Sequence, residues 1–363
     1  HYYGVGAYLR PFDDARRAGV RFAAECLAFS NIPDGAMIDT LLDEGVTPGH
    51  HPVWKAAVPR DAGSGWDFED VRDHYVRLLF NVDPLELRAR DIDRYLAFGR
   101  VATGEAMLQT FAEWRRPGST CRGGLVWIAR DFRPGAGWGV VDSTGRPKAA
   151  YWYLKRALTP VALLAIDEGL NGLYLHALND TCDPIQAEIR VALYREGRLR
   201  DASESTSVTI PGRGFRTVHA DGMFNGFVDL MYAYRFGPPG HDAVAATLRD
   251  CATGAVLAAA HCFPCGLPTA RDGALGLAAA TERIANDYAV NLKVDRFAHA
   301  VAIEVDGFVP DDNHFHLEPG ESKRVLLRAE VPGQPLRGCV SALNGVGSVL
   351  LVPIDQAGAF DAA

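Results

Sequence analysis

Two carboxylates close short apolar runs in this chain. Glu25 follows the run over residues 20–24, and Asp131, behind Arg130, follows the run over 124–129. An acid at a strand end can attack a carbon, move a proton, hold a hydroxyl or brace a loop. From the residues alone, Glu25 reads first as a salt-bridged strand-end carboxylate. Asp131 reads first as a loop brace and second as a partner for a hydroxyl. Trp127 lies near the end of the same run as Asp131 and reads equally as a core ring or as an apolar floor under a ligand. His51, Trp54 and Trp66 sit on or beside the long loop that follows Glu25.

Metal and thiol chemistry have weaker support. Cys262-Phe-Pro-Cys265, beside His261, is a lone CxxC, and a zinc site needs a second pair of ligands. With no other CxxC in the sequence, these read as buried thiols. The pairs His50-His51 and His314-Phe-His316 read as solvated loop histidines. Seven Cys at irregular spacing give no disulfide framework.

The elements that must carry these groups follow from pattern. The uncharged run over 124–129 predicts a strand buried on both faces, as in a parallel sheet. A Gly- and Pro-rich loop carrying Trp138 follows, then Gly145-Arg146-Pro147, then helical spacing over 148–158 with Tyr151, Leu154 and Leu158 on one face. Strand, charged end, loop and closing helix make a β/α unit. Upstream, residues 1–19 predict a loop leading into a short helix, and residues 20–24 a strand. The stretch 26–65 predicts a long decorated loop with a short helix over 36–44. Asp67 predicts a helix cap. Asp83-Pro84 predicts the start of a helix running to about residue 116. After Thr159-Pro160 the pattern turns to alternation, clearest where Ile185, Ala187, Ile189, Val191 and Leu193 share one face of a half-buried strand. Further strands are expected over 172–178, 207–210, 227–234, 243–248 and 255–260. Beyond a Gly/Pro break at 266–272, others are expected over 287–294, 300–305, 314–317, 323–329 and 348–352, with a turn at Glu318-Pro-Gly-Glu321. This pattern suggests antiparallel sandwiches.

Composition narrows the function classes. The 363 residues suggest two or three domains. Lys and Arg number 37 against 45 Asp and Glu, a net charge of −8, which argues against a nucleic-acid or anionic-membrane partner. No apolar stretch is long enough to span a bilayer as a helix. The chain opens at His1 and its first residues look like the middle of a domain. The expectation is therefore the C-terminal part of a longer protein, whose targeting segment would lie upstream.

Three stretches together resemble glycoside hydrolase family two, closest to its β-mannosidase branch. Arg21-Phe-Ala-Ala-Glu25-Cys-Leu-Ala-Phe-Ser30-Asn-Ile-Pro33 is similar to the family's RF-x-SE-F-G-x-x-S-x-P run at the end of its seventh barrel strand. Gly124-Leu-Val-Trp127-Ile-Ala-Arg-Asp131 resembles its eighth strand, GxLxWQLND, and residues 142–157 resemble its closing D-x-x-GRPKPAYYALKRA. Asp312-Asn313-His-Phe-His-Leu-Glu-Pro-Gly-Glu321 is similar to a DNYFxLxPGE segment in the last sandwich. The resemblance implies the C-terminal part of a (β/α)8 TIM barrel over 1–159. Two immunoglobulin-like β-sandwich domains would follow over 160–266 and 267–355, with a tail over 356–363. It implies a retaining exo-glycosidase acting on terminal β-linked sugars, β-mannosides foremost, with Glu25 as nucleophile. Trp127, Asp131, Trp54, His51 and Trp66 become substrate-binding residues, the loop residues on the leaving-group side. The family's acid/base Glu follows an Asn, and no Asn-Glu dipeptide occurs in this sequence. The chain alone is therefore expected to be incomplete and inactive. No cofactor or metal is implied. The partners expected are a carbohydrate substrate and a second copy in a homodimer, with no nucleic acid and no membrane, in the cytoplasm or periplasm. Departures from the pattern are Cys26-Leu27 for Phe-Gly and Ile128-Ala129-Arg130 for Gln-Leu-Asn. The alternative is a non-catalytic carbohydrate- or protein-binding module derived from a glycosidase.

Overall fold

The computed structural model describes residues 1–43, 46–49 and 51–352. Two units emerge, each discontinuous in sequence. One comprises His1–Cys26, Ala106–Leu125 and Leu154–Leu267, the other Leu27–Glu105, Val126–Tyr153 and Pro268–Ala363.

The first part of the chain is mostly helical. Helix α1 (Asp14–Arg17) precedes strand β1 (Ala23–Cys26). Helix α2 (Gly35–Leu41) starts at Asp34, whose side chain accepts the Met37 N–H. It ends before Glu44, which, like Gly45 and His50, lies outside the described residues. Helix α3 (Pro52–Ala57) interrupts the stretch expected to be loop. Helix α4 (Phe68–Phe80) has the cap expected at Asp67, completed as a capping box by Asp70. Such a cap contributes about 1 kcal/mol. The single helix expected from Asp83 is instead two, α5 (Pro84–Arg90) and α6 (Ile92–Arg115). Asp91 divides them. Its backbone is non-helical (φ −150°, ψ 86°) and closes α5, while its side chain accepts the Arg94 N–H and opens α6.

Strand β2 (Gly124–Val126) pairs with β1 in a two-stranded sheet. The expected strand over 124–129, buried on both faces, is corrected here. Only three residues are extended in a strand, and Leu125 is 60% exposed. The backbone of 128–131 bonds back to its own loop: Ile128 O accepts the Val140 N–H and Ala129 O the Val141 N–H. Groups used in this way cannot extend a ladder. Helix α7 (Ala149–Ala157) closes the segment.

Within the first unit, strands β3 (Val161–Asp167), β4 (Leu173–Asn179) and β8 (Gly214–His219) form one antiparallel sheet. A second sheet contains β10 (Val256–Cys262), β9 (Ala243–Asp250), β5 (Ile185–Arg195), β6 (Arg198–Ala202) and β7 (Thr206–Ile210). Leu173, Leu175 and Ala177 of β4 share a core with Ala187, Ile189, Val191 and Leu193 of β5. The alternation in β5 is as expected, with Gln186, Glu188 and Arg190 exposed. The strand expected over 227–234 does not form. Asp229 accepts the N–H groups of Met231 and Tyr232, and Asp221 accepts that of Leu230. These side chains take the donors a strand would need.

Within the second unit, β11 (Ala278–Ile284), β12 (Asp287–Lys293), β16 (Ser322–Ala329) and β14 (Phe308–Pro310) form one sheet. The strands β15 (Phe315–Leu317), β13 (Ala298–Val305), β17 (Gly338–Ser341) and β18 (Ser348–Leu350) form another. Val290, Leu292, Val301, Ile303, Val325 and Val340 are in their common core. The turn at Glu318 is present, its carbonyl accepting the Glu321 N–H at 3.2 Å. His316 is not a solvated loop residue. It lies in β15, nearly buried, with Nε2 3.6 Å from a Glu105 oxygen. The expected tail lies outside the described residues.

Candidate active-site carboxylate and aromatic row

Glu25 is the third residue of β1, and its side chain is 34% exposed. The chain's first residues run beside the strand. Tyr2 bridges Cys26 in parallel fashion and donates its N–H to the Glu25 carbonyl at 2.8 Å. That pairing delivers Tyr3, whose hydroxyl donates to Glu25 Oε2 at 2.8 Å, and His1, whose Nδ1 lies 2.7 Å from the same oxygen. Both contacts land on Oε2, so among the described residues Oε1 carries no hydrogen bond. One oxygen is held and the other is open.

The segment bearing Tyr3 is itself anchored. Tyr2 packs edge-on against Trp114 at 5.2 Å, and its hydroxyl donates to Asp14 at 3.1 Å. A Cβ on Gly4 would stand 2.2 Å from Asp14 Oδ2 and 2.9 Å from the Tyr2 ring, so a larger residue there would displace one of these side chains. Cys26, next to the carboxylate, points inward. Its Sγ donates to the Leu125 carbonyl, and burial pushes the thiol up to about 12. The thiol is protonated at neutral pH and is no nucleophile.

The other candidate residues lie in the second unit. Trp127 and Trp66 are the exposed ends of an aromatic row, at 37% and 36%. Trp127 contacts Trp138 at 6.1 Å, Trp138 contacts Phe68 at 5.2 Å, and Phe68 contacts Trp66 at 5.5 Å, each edge to face. Asp131 is buried and pairs with Lys148, while its Oδ1 accepts the Gly139 N–H at 2.6 Å. Lys148 also donates to the carbonyls of Asn31 and Gly135. Burial pushes the Asp131 carboxyl up and the Lys148 ammonium down, against the attraction between them. In this setting Asp131 braces the loop that carries Trp138. It offers no free oxygen to a hydroxyl at the surface.

Trp54 is fully buried, and its Nε1 donates to Glu69 at 3.1 Å, so its ring is core and presents no platform. His51 caps α3, accepting the Val53 N–H at 3.3 Å, and lines a shallow groove with Pro48, Leu85, Arg88 and Ile92. Around Trp54 runs a buried charge network. Arg72 bonds Glu69 at 2.8 Å and the Tyr95 hydroxyl at 2.6 Å, and Tyr95 donates to Asp73 at 2.8 Å. Burial pushes Glu69 up, but Arg72 and Lys55 outweigh it and hold the carboxyl at about 2. Arg72 also reaches Ser30, which donates to the Ala136 carbonyl at 2.8 Å.

The structure thus links Trp127 to Trp66 through Phe68 and Trp138, and keeps Trp54 and Asp131 inside. Tyr3, Lys148, Glu69 and Arg72 escape sequence reasoning because their partners are set by tertiary pairing. The one available signal was the Lys in Gly145-Arg146-Pro147-Lys148, a charge at the start of an otherwise apolar helix face. Among the described residues, no group of three or more His, Cys, Asp or Glu could hold a metal ion. The thiols of the CxxC are less buried than expected, with Cys262 half-buried and Cys265 exposed. Among the described residues, no helix is long and apolar enough to cross a membrane.

No family model matches the chain. It is similar to curated β-mannosidases B: 34% identical over 101 residues to that of Aspergillus niger, 27% of this chain and 12% of the relative. It is 26% identical over 186 residues to that of Aspergillus clavatus, 48% of this chain and 22% of the relative. The chain therefore matches less than a quarter of the length of these relatives. The fold is similar to that of a solved β-D-mannosidase from Dictyoglomus thermophilum, with a TM-score of 0.73 at 17% identity, covering 98% of this chain and 40% of that one. It is also similar to an exo-chitosanase from Amycolatopsis orientalis, with a TM-score of 0.68 at 14% identity, covering 91% and 42%. These likenesses are those of a β-mannosidase-like C-terminal portion.

Proposed function

We propose that this chain is part of a retaining exo-glycosidase that removes terminal β-linked sugars, most readily β-mannose, with Glu25 as nucleophile. The single observation that carries this is the division of labour in the Glu25 carboxylate. Oε2 is held by Tyr3 and His1, while Oε1 is left open on a partly exposed side chain at a strand end. In the first step Oε1 attacks the anomeric carbon. The glycosidic bond breaks, and the leaving oxygen takes a proton from an acid. In the second, water attacks the glycosyl–Glu25 ester, gives its proton to the conjugate base, and frees the carboxylate. The acid/base carboxyl must stand about 5 to 5.5 Å from Glu25, and in this reading another part of the protein supplies it. Residues 1–159 are then the C-terminal part of a TIM barrel, followed by immunoglobulin-like domains over 160–266 and 267–355. Trp127 and Trp66 offer aromatic faces to carbohydrate, and Asp131 and Trp54 act as scaffold.

The test uses full-length protein with chromogenic β-mannoside, β-galactoside and β-glucuronide. We expect β-mannoside to be the best substrate. Glu25→Gln should lower kcat by about 10⁴-fold or more, as loss of a covalent nucleophile does. A 2-deoxy-2-fluoro-β-mannosyl fluoride should leave its sugar on the peptide containing Glu25. Equal turnover in wild type and Glu25→Gln, or label on another residue, removes Glu25 from the role. The replacement of Phe-Gly by Cys26-Leu27 favours a second reading, a carbohydrate-binding module without catalysis. Binding without turnover by the full-length protein would select it.

A further inference from the structure

We infer that the groove along α5 is a binding site for an amphipathic monocarboxylate, whose charged end pairs with Arg88 while its hydrocarbon body lies along the groove. The inference does not rest on the glycosidase reading above. The groove lies within the second unit and encloses about 720 Å³, a volume usual for small-molecule sites. Val46, Pro48, Leu85 and Ile92 give it apolar walls. Among the described residues that line it, Arg88 is the one Arg, Lys, Asp or Glu.

A guanidinium carries five N–H donors, and each is costly to bury unmatched. The Arg88 side chain is only 11% exposed. Its stem runs beside the loop that closes the groove: a Cβ on Gly49 would stand 3.3 Å from Arg88 Cδ. Its guanidinium carbon lies 5.5 Å from the centre of the Tyr95 ring. Nη1 is 4.0 Å from Glu69 Oε2, an ion pair too long for a hydrogen bond. Glu69 is already committed, Oε1 to Trp54 and Arg72 and Oε2 to Lys55. Arg88 therefore donates no hydrogen bond among the described residues. Two unlike demands meet here. Apolar walls favour a hydrocarbon body, and a mostly buried cation with unused donors calls for an anion. A carboxylate accepts two parallel N–H bonds from a guanidinium, which makes it the fitting anion. A neutral sugar meets neither demand, since its hydroxyls would lose water against apolar walls and bring no charge.

The full chain is titrated by calorimetry with octanoate and, separately, with 1-octanol, which has the same length and no charge. Octanoate should bind at least about ten-fold more tightly than octanol, as hydrogen bonds to a charged group allow. Arg88→Met keeps the apolar stem and removes the guanidinium, so it should abolish that preference. Arg88→Lys should keep part of it. Ala89 is exposed on α5, so Ala89→Glu should fold as wild type does and weaken octanoate binding by repulsion, with octanol unaffected. Circular dichroism checks the fold of each variant. Three results overturn the inference: no octanoate binding by wild type, equal affinity for octanoate and octanol, or unchanged octanoate affinity in Arg88→Met. If Arg88→Met does not fold, Ala89→Glu decides, and unchanged octanoate affinity there overturns it as well.

Discussion

A carboxylate that attacks carbon must be ionised, aimed and partly unencumbered. In the nucleophile role proposed for Glu25, the aim would come from Tyr3, whose hydroxyl donates to Oε2. A hydrogen bond to a charged group contributes about 1.5–3 kcal/mol. Tyr3→Phe removes the hydroxyl at 2.8 Å and leaves the ring. We expect full-length Tyr3→Phe to lose about 10- to 100-fold in kcat/KM on a chromogenic β-mannoside. Its Tm should stay within about two degrees, because Glu25 is partly exposed and can recruit water. A large Tm loss with normal activity in the folded fraction would make Tyr3 structural only. The position of Glu25 in a short strand was legible in the sequence, as an acid ending a short apolar run. Tyr3 was not, because nothing local ties residue 3 to residue 25. The parallel bridge from Tyr2 to Cys26 makes that link, and it exists only once the strand is in place. Asp131 was legible only as a pair of alternatives. In the folded chain Asp131 is buried and paired with Lys148.

At the scale of elements, caps were readable and interruptions were not. Asp67 and Asp83 announce α4 and α5 because a side-chain acceptor before an apolar run has one favoured use. Asp91 ends one helix and starts the next while the apolar spacing continues across it, so periodicity misses the break. Likewise residues 227–234 have the composition of a strand, yet Asp229 and Asp221 take their backbone donors. The buried network within α4 and α6 gives a prediction of its own. Glu69 is held at about 2, below its ordinary 4.5, so its folded form binds its proton less readily than its unfolded form. The stability this contributes is fully present above the unfolded value and is lost as pH falls from about 4.5 towards 2. The full effect is on the order of 3 kcal/mol. Asp73, which burial pushes up, works in the opposite sense and offsets part of it. Chemical unfolding of wild type and Glu69→Gln between pH 7 and pH 3 should show wild type losing more stability than the variant over that range. Glu69→Gln should be less stable at pH 7, because Arg72 is then buried without its full counter-charge. Parallel pH curves would mean that Glu69 is not the group responsible for the acid limb.

The molecule as a whole separates what folds from what reacts. Each of the two sandwich-like sheet pairs closes on its own apolar core, one around Leu175, Ile189 and Val244, the other around Val290, Val301 and Val325. Alternation made β5 legible, since Ile185, Ala187, Ile189, Val191 and Leu193 share one face while Gln186, Glu188 and Arg190 stand on the other. It left β11 invisible, since Ala-Ala-Ala-Thr-Glu-Arg-Ile alternates too weakly to declare a face. The chain thus carries two apolar cores of its own. In the reading proposed here it carries one of the two carboxyl groups that retaining hydrolysis requires. Without an acid, the aglycone leaves as an unprotonated alkoxide, and general acid catalysis typically accounts for about 10²–10⁴-fold of rate. We therefore expect the isolated 363 residues to give a β-rich circular dichroism spectrum and a cooperative unfolding transition, yet no detectable turnover of p-nitrophenyl or alkyl β-mannosides. An activated dinitrophenyl mannoside, whose leaving group needs no proton, is the sharper probe. If Glu25 is poised in the isolated chain, that substrate alone should release a burst of phenol and leave a mannosyl ester on the Glu25 peptide. Turnover of the unactivated alkyl mannoside by the isolated chain would show that an acid is already present within it, and the assignment of the second carboxyl to another part of the protein would then be wrong.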